Sequence, residues 1–336
     1  MERRTDKWIL WTGALALALC SVTVVALCTG SAGISMGGIV QVLLEGRGSP
    51  EYSIIVDVRL PRIILGIVLG GALSVAGVLL QGLFRNPLVE PYTLGISGGA
   101  ALGVCLNIVL GLQSLIGVVS YPLSGFSGAV IVIILVYFLS MKKGLLKING
   151  ILLTGVMISF IASSLIMLIM ALSRTENLHG IVFWIMGSLE EPNTSLILLS
   201  SVVSLAGLGA SCLFSLQLNA FAVGEEEAFH LGVNTERTKK YLFFIASVLT
   251  GVSVSVAGII GFVGLAVPHF VRMFVGGDHR ILIVCSYLAG ASFLVLCDTI
   301  ARGLVAPMEL PVGVVTGIIG GMLFVYALNK KGGLRG

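Results

Sequence analysis

The stretch IILGIVLGGALSVAGVLLQGLF, residues 63–84, contains no charged residue. About 20 apolar residues are enough for an α-helix to cross the hydrocarbon of a bilayer. Uncharged stretches of comparable length recur along the chain, at 8–30, 91–141, 148–173, 192–224, 241–271, 281–297 and 310–329. The pattern predicts an all-α, polytopic membrane protein.

The overall composition supports the same fold class. Of the 336 residues, 57% are hydrophobic and only 11% are charged, and the mean hydropathy is +1.07. A soluble domain carries more charge and less apolar sequence. We therefore expect a single transmembrane domain over residues 1–336. The first 30 residues resemble a signal peptide, but the uncharged run continues to Leu44 without a cleavage site, which favours a retained helix.

The uncharged stretches predict ten membrane crossings. The run 91–141 is too long for one helix and breaks around 113–122, while 241–271 holds one full helix and the start of a broken one. With both termini in the cytoplasm, fourteen basic residues lie inside and five outside, Arg272 being unassigned. This distribution satisfies the positive-inside rule. We expect a multi-pass protein of the cytoplasmic (inner) membrane.

A short repeat suggests how the crossings are organised. Ser-Val-Ala-Gly ends at Gly77 and again at Gly258, and a proline follows ten residues later in each copy, at Pro87 and Pro268. Five predicted crossings separate the copies, so they point in opposite directions. Inverted repeats of Gly/Pro-interrupted segments are typical of transporters. We expect repeat halves over about 52–172 and 238–330, with these four residues as hinges.

The sequence lacks the residue patterns that several other functions require. No G-x-x-x-x-G-K-[ST] motif is present, so the chain has no P-loop for ATP. The four histidines and six cysteines are scattered, which predicts no metal site, no cofactor and no enzymatic activity. An ion-coupled secondary transporter would place carboxylates at mid-membrane, whereas Glu90 and Asp298 lie close to the ends of crossings. That class, and a receptor or scaffold, remain alternatives.

One cytoplasmic loop, roughly 217–240, carries a distinct pattern. Glu225 to Glu227 suit a helix N-terminus, and Gly232 suits its end. A short amphipathic helix here could dock in a groove of a soluble partner. A solvated acidic connector is the alternative interpretation.

Longer motifs, in order along nearly the whole chain, resemble the FecCD-type permease subunits of ABC importers, which take up iron–siderophores, haem and cobalamin. The matching stretches are Arg59-Leu-Pro-Arg62, Gln81 to Leu88 with Pro91, Leu94 to Ala100, Phe183 to Ser188, Gly261 to His269 with Arg272, Asp278 to Arg280, and Glu309 to Gly313.

The resemblance implies a type II ABC importer permease of ten helices. It implies a second permease subunit, which is an identical copy or a paralogue, so that two permeases surround a central path. Two ATPase subunits would bind ATP and Mg. An extracytoplasmic binding protein, periplasmic or lipid-anchored, would deliver the cargo. Nucleic acid is not an expected partner. The coupling helix would comprise Gly224, Glu225, Glu226, Glu227, Ala228, Leu231 and Gly232. Docking of the binding protein would use Arg59, Arg62 and Arg302, which the charge-based topology also places outside.

The translocation path would lie at the subunit interface, along the fifth crossing and parts of the third, eighth and tenth. Its candidates alternate soft apolar and small polar groups: Met157, Ser159, Ser163, Ser164 and Met167. Helix or lipid packing is the alternative for the two methionines. Iron(III)–siderophore is the commonest cargo of such permeases, and haem, cobalamin and molybdate remain open. We expect alternating access driven by the partner ATPases. The permease itself supplies no energy: its helices can pack in two arrangements of nearly equal stability, and its partners shift the equilibrium between them.

Overall fold

The computed structural model describes residues 2–30, 33–49, 51–117, 119–142, 145–191, 193–305 and 308–332. Lys143 and Arg335, two of the fourteen basic residues predicted to lie on the inner side, are not among these residues. The helices are α1 Glu2–Cys28, α2 Met36–Glu45, α3 Leu60–Phe84, α4 Ile96–Leu110, α5 Gln113–Ile116, α6 Ser120–Ser140, α7 Ile148–Leu172, α8 Thr175–Met186, α9 Thr194–Leu213, α10 Ser215–Val223, α11 Glu225–His230, α12 Thr235–Ala257, α13 Val263–Val275, α14 His279–Gly303 and α15 Val312–Gly332.

Short elements connect some of these helices. One wide π turn, Ser53–Arg59, runs directly into α3, and 3-10 turns cover Gly46–Gly48 and Pro91–Leu94. Between α6 and α7, strand β1 (Met141–Lys142) pairs antiparallel with β2 (Leu145–Leu146).

Ten helices of the described chain have the length or apolar character of membrane segments. Seven are long enough to span a bilayer, and α4, α13 and α15 are shorter apolar helices. The predicted number of crossings is therefore confirmed, including the division of 91–141 into α4 and α6. The run 192–224 differs from a single crossing, because its last part forms the separate helix α10.

Helix α3 lies at the centre of the bundle. Twenty of its 25 residues are buried, and it packs against α14, α12, α9 and α13. Helices in lipid associate mainly by close packing, which small residues permit. At Gly77 the carbonyl of Gly264 on α13 approaches so closely that a Cβ would overlap it. By contrast, α1 and α7 bury 6% and 17% of their apolar windows, so both lie at the periphery of this single chain.

The two halves share a pattern of helix lengths. Helices α3, α4, α6 and α7 run long, short, long, long, and α12, α13, α14 and α15 repeat that order. Because α12 is the fifth membrane helix after α3, the halves run in opposite directions across the bilayer. The structure therefore contains the inverted architecture that the fold class requires.

The tetrapeptide that first indicated the repeat does not mark equivalent positions. Gly77 lies inside α3, whereas Gly258 follows the end of α12 with φ of 71°. Pro87 lies in the segment after α3, whereas Pro268 is inside α13. The pairing of these residues as matched hinges is wrong, because the two glycines serve different needs: close helix approach at Gly77 and a left-handed turn at Gly258.

Two segments outside the α-helices meet between the halves. One precedes α4, and the other, Gly258 to Phe262, separates α12 from α13. The Tyr92 hydroxyl accepts the Ile260 N–H at 3.0 Å and donates to the Ile260 carbonyl at 2.9 Å. A Glu90 carboxylate oxygen accepts the Phe262 N–H at 2.8 Å, immediately before α13. These contacts satisfy backbone groups that cannot find water within a membrane, and the negative charge suits the start of a helix.

We predict that Tyr92→Phe destabilises the fold, because it leaves both polar groups of Ile260 without their partner. Loss of a buried hydrogen-bonding partner costs about 1–3 kcal/mol per group. Thermal unfolding in detergent should show a lower Tm for Tyr92→Phe than for Tyr241→Phe, whose side chain is exposed. Equal Tm values for the two variants would show that the Ile260 contacts contribute no stability.

Candidate functional site

The predicted coupling segment folds as a short helix between two longer ones. Helix α11 begins at Glu225, as the sequence indicates, with all three glutamates in its first turn. Its end is closed by Gly232, whose φ is 83° and whose N–H donates to the Phe229 carbonyl at 2.9 Å. The carboxylates therefore lie at the positive end of the helix dipole.

The faces of α11 divide the predicted coupling residues into two groups. Gly224 and Ala228 are buried, and the Glu225 side chain is half-buried. Glu226, Glu227, Leu231 and Gly232 are exposed. Only this second group can contact a soluble partner in the conformation described here.

Two residues absent from the predicted coupling set, Phe229 and His230, complete this outer surface together with Leu231. Phe229 is 66% exposed and Leu231 is 68% exposed, and His230 lies between them. Large apolar side chains exposed at a polar end of a membrane protein indicate a protein contact. The signal for Phe229 was present in the sequence, as an aromatic residue two positions after an acidic run. We call Glu226, Glu227, Phe229, His230 and Leu231 the α11 surface.

A polar network joins the α11 region to distant helices. The Asn219 amide on α10 donates to Asp278 Oδ1 at 2.9 Å, and its Oδ1 accepts the His279 N–H at 2.8 Å. Arg280 pairs with Asp278 at 2.7 Å and lies over the Trp8 ring of α1, 5.0 Å from its centroid. The Arg280 guanidinium holds the pKa of Asp278 below its usual range. The start of α1 therefore lies at the same end of the bundle as α10 and α11.

The three arginines predicted to dock a binding protein lie at the opposite end, and all are buried. Arg59, Arg62 and Arg302 are only 3%, 6% and 5% exposed. In this conformation none of the three therefore presents an exposed guanidinium to a binding protein, and their docking role stays a prediction. A buried guanidinium is costly unless it is paired, and each of these has internal partners.

Those partners are backbone carbonyls and acidic side chains. Arg59 donates to the Leu27 carbonyl at the end of α1. Arg302 pairs with Asp298 one turn earlier on α14, at 2.9 Å. We call these contacts, together with the Arg62 pairs below, the arginine cluster.

Arg62 has the two partners that lie nearest to solvent. It pairs with Glu309 at 2.8 Å and with Glu190 at 3.1 Å. The Glu190 side chain is 74% exposed and that of Glu309 is 43% exposed. The accessible charges around this guanidinium are therefore acidic.

The candidate path residues occupy the peripheral helix α7. Met157, Ser163, Ser164 and Met167 are exposed in this single chain, so their faces are open to a second subunit or to lipid. Ser159 differs: it lies against Gly98 of α4, and its hydroxyl donates to the Gly155 carbonyl at 3.0 Å. Ser159 therefore packs between α7 and α4.

The described residues bring no three His, Cys, Asp or Glu side chains together as metal ligands would be. The two carboxylates closest to the membrane interior are engaged, Glu90 by the Phe262 N–H and Asp298 by Arg302. The arrangement is thus one of packed helices with contact surfaces at both ends.

Comparison with known proteins agrees with this architecture. The model of the FecCD transport family matches residues 16–330. The chain is 39% identical to the haemin transport system permease protein HmuU of Yersinia pestis over 282 residues, covering 83% of this chain and 84% of that protein. It is 37% identical to the molybdate import system permease protein MolB of Haemophilus influenzae over 333 residues, covering 96% of each.

A solved structure shows the same fold. A metal-chelate type ABC transporter in an inward-facing conformation superposes with a TM-score of 0.83 at 31% identity, covering 96% of this chain and 99% of that one. The resemblance read from the motifs is thereby confirmed. The chain is a membrane protein of the FecCD transport family, a family of ABC importer permeases for metal chelates.

Proposed function

We propose that this chain is the membrane subunit of an ATP-driven importer that moves an iron(III)–siderophore from a binding protein into the cytoplasm. In this proposal the chain forms one permease domain, with repeat halves over about 52–172 and 238–330. It pairs with a second permease, and two ATPase subunits hydrolyse ATP. The observation that carries the proposal is the α11 surface, an exposed apolar and acidic patch on a family member that lacks a P-loop of its own.

The orientation follows from the charges and from the contacts between helices. The α11 surface lies at the end where the basic residues of the short loops concentrate, which the positive-inside rule assigns to the cytoplasm. Trp8 and Arg280 place the start of α1 at that end. We infer that both termini are cytoplasmic and that the arginine cluster faces the extracytoplasmic side.

An ion-coupled transporter is less well supported by the structure. Such a protein needs a carboxylate within the membrane that can exchange a proton or a cation. Glu90 and Asp298 are instead occupied by structural contacts with Phe262 and Arg302.

Reconstitution tests the function and identifies the cargo. The purified chain, together with its partner ATPase and binding protein, is assayed in vesicles with a radioiron-labelled iron(III)–siderophore, haemin, cobalamin or molybdate. We expect accumulation of the siderophore that requires ATP and the binding protein. Accumulation of one of the other three compounds would reassign the cargo, and accumulation without the ATPase would contradict the proposed function.

We predict that Phe229→Ala weakens attachment of the ATPase and lowers uptake. A well-packed aromatic anchor typically contributes 2 kcal/mol or more to an interface, roughly thirtyfold in affinity. Phe138→Ala is the control, since Phe138 is equally exposed, at 68%, but belongs to α6 and not to the α11 surface. Co-purification and ATP-dependent uptake should fall for Phe229→Ala alone; retention of both would place the ATPase elsewhere.

We predict that Glu190→Gln strengthens docking of an acidic binding protein. Glu190 competes for Arg62, so its neutralisation should free that guanidinium for a carboxylate of the partner. The expected gain is about two- to fivefold in affinity at low ionic strength, and it should shrink as salt screens exposed charges. Surface-plasmon titrations would measure it.

The matched control for this experiment is Glu176→Gln. Glu176 is an exposed acid in the first turn of α8, at the same end of the bundle. If both variants bind alike, general repulsion explains the gain and Arg62 has no role in docking.

A further inference from the structure

A buried ammonium group joins three cytoplasmic segments. The Lys239 side chain is only 4% exposed, and its Nζ lies 2.8 Å from Glu225 Oε1 on α11. The same atom pairs with Glu236 one turn earlier on α12 and donates to the Leu146 carbonyl of β2 at 3.2 Å. We call Lys239, Glu225, Glu236 and Leu146 the Lys239 cluster.

The cluster is closed by reciprocal hydrogen bonds. An ammonium group has three N–H donors and no acceptor, and each of the three partners offers an oxygen. The Leu146 N–H in turn donates to Glu236 Oε2 at 3.0 Å. Both backbone polar groups of Leu146 are therefore held by the start of α12.

The position of α11 depends on this contact. A helix of six residues is too short to be stable alone. The Glu225–Lys239 pair joins it to α12, in addition to the burial of Ala228 and the packing of α11 against α10. Because β2 ends two residues before α7 begins, the same ammonium also fixes the entry to the candidate path helix.

We propose that Lys239 is a positioning residue that carries displacement of α11 to the start of α7 as well as to α12. This inference rests on the proposed function. When an ATPase moves the α11 surface, Glu225 moves with it, and Lys239 transmits that movement to the Leu146 backbone. Without the ammonium, α11 can still bind the ATPase, but its movement no longer reaches the path helix.

The energetics separate this role from simple stabilisation. Replacing both members of a buried ion pair with apolar groups is often neutral, whereas removing one member is costly when the charge left behind is buried. The acids that lose their partner, Glu225 and Glu236, have side chains 41% and 29% exposed, so water can reach them. Lys239→Met should therefore leave a folded protein in which coupling, rather than stability, is reduced.

The test uses the complete reconstituted importer and the cargo that the wild type accumulates. Lys239→Met and Glu225→Gln should each lower the cargo transported per ATP about tenfold, within the range of allosteric couplings. ATPase activity, co-purification and Tm should stay close to wild type. Lys240→Met, the same substitution one position along at a half-buried site, is the control and should transport normally.

Spin labels at Leu145 and at Val223, which directly precedes Gly224 and α11, give a second readout, since both positions are exposed and lie outside the α11 surface. In the wild type their separation should stay fixed between nucleotide-free and ATP-bound states, because both segments move together. In Lys239→Met it should change on ATP binding.

The inference is wrong if Lys239→Met transports as much cargo per ATP as the wild type does. This holds whether its uptake is normal or falls in parallel with Tm, since a parallel fall indicates lost stability rather than lost coupling. Failure of the proposed function is distinguishable, because then even the wild-type importer would show no ATP-dependent accumulation.

Discussion

The requirement that every backbone polar group inside the membrane find a partner within the chain governs this structure. Continuous helices meet it automatically, but the break between α12 and α13 does not. Tyr92 and Glu90, both from the first half, supply partners to Ile260 and Phe262 in the second. The break is therefore possible only where the halves touch, so the start of α13 and the segment before α4 should move as one body.

Buried charge applies the same principle at both ends of the bundle. Arg62 ties α3 to the loops that carry Glu190 and Glu309, and Lys239 ties α12 to α11 and β2. Each cation holds together segments far apart in sequence, and each has acids that reach solvent. A partner that approaches either end thus meets an acidic surface connected to the interior by one buried cation. This arrangement lets two soluble partners act on one bundle without entering the membrane.

The sequence was informative where one local constraint decides the outcome. Uncharged length predicted the ten crossings, and Gly232 with the glutamates predicted the bounds of α11. The sequence was not informative where a tertiary contact decides whether a charged side chain is buried. Glu225 reads as a solvent-facing charge until Lys239, fourteen residues on, is folded against it. The burial of the arginines depends likewise on carbonyls and acids from α1 and from loops over a hundred residues away.

The faces of α11 also constrain the partner that fits it. With Glu225 held by Lys239, the outward charge is reduced to Glu226 and Glu227, beside the apolar side chains of Phe229 and Leu231. Apolar anchors seated in a desolvated pocket supply most of the affinity of an interface, whereas charges at its rim steer association and select the partner. A complementary groove therefore needs an apolar floor with cations along the side that meets the first turn of α11. A groove with an acidic rim would be rejected by like-charge repulsion even if its floor fitted well.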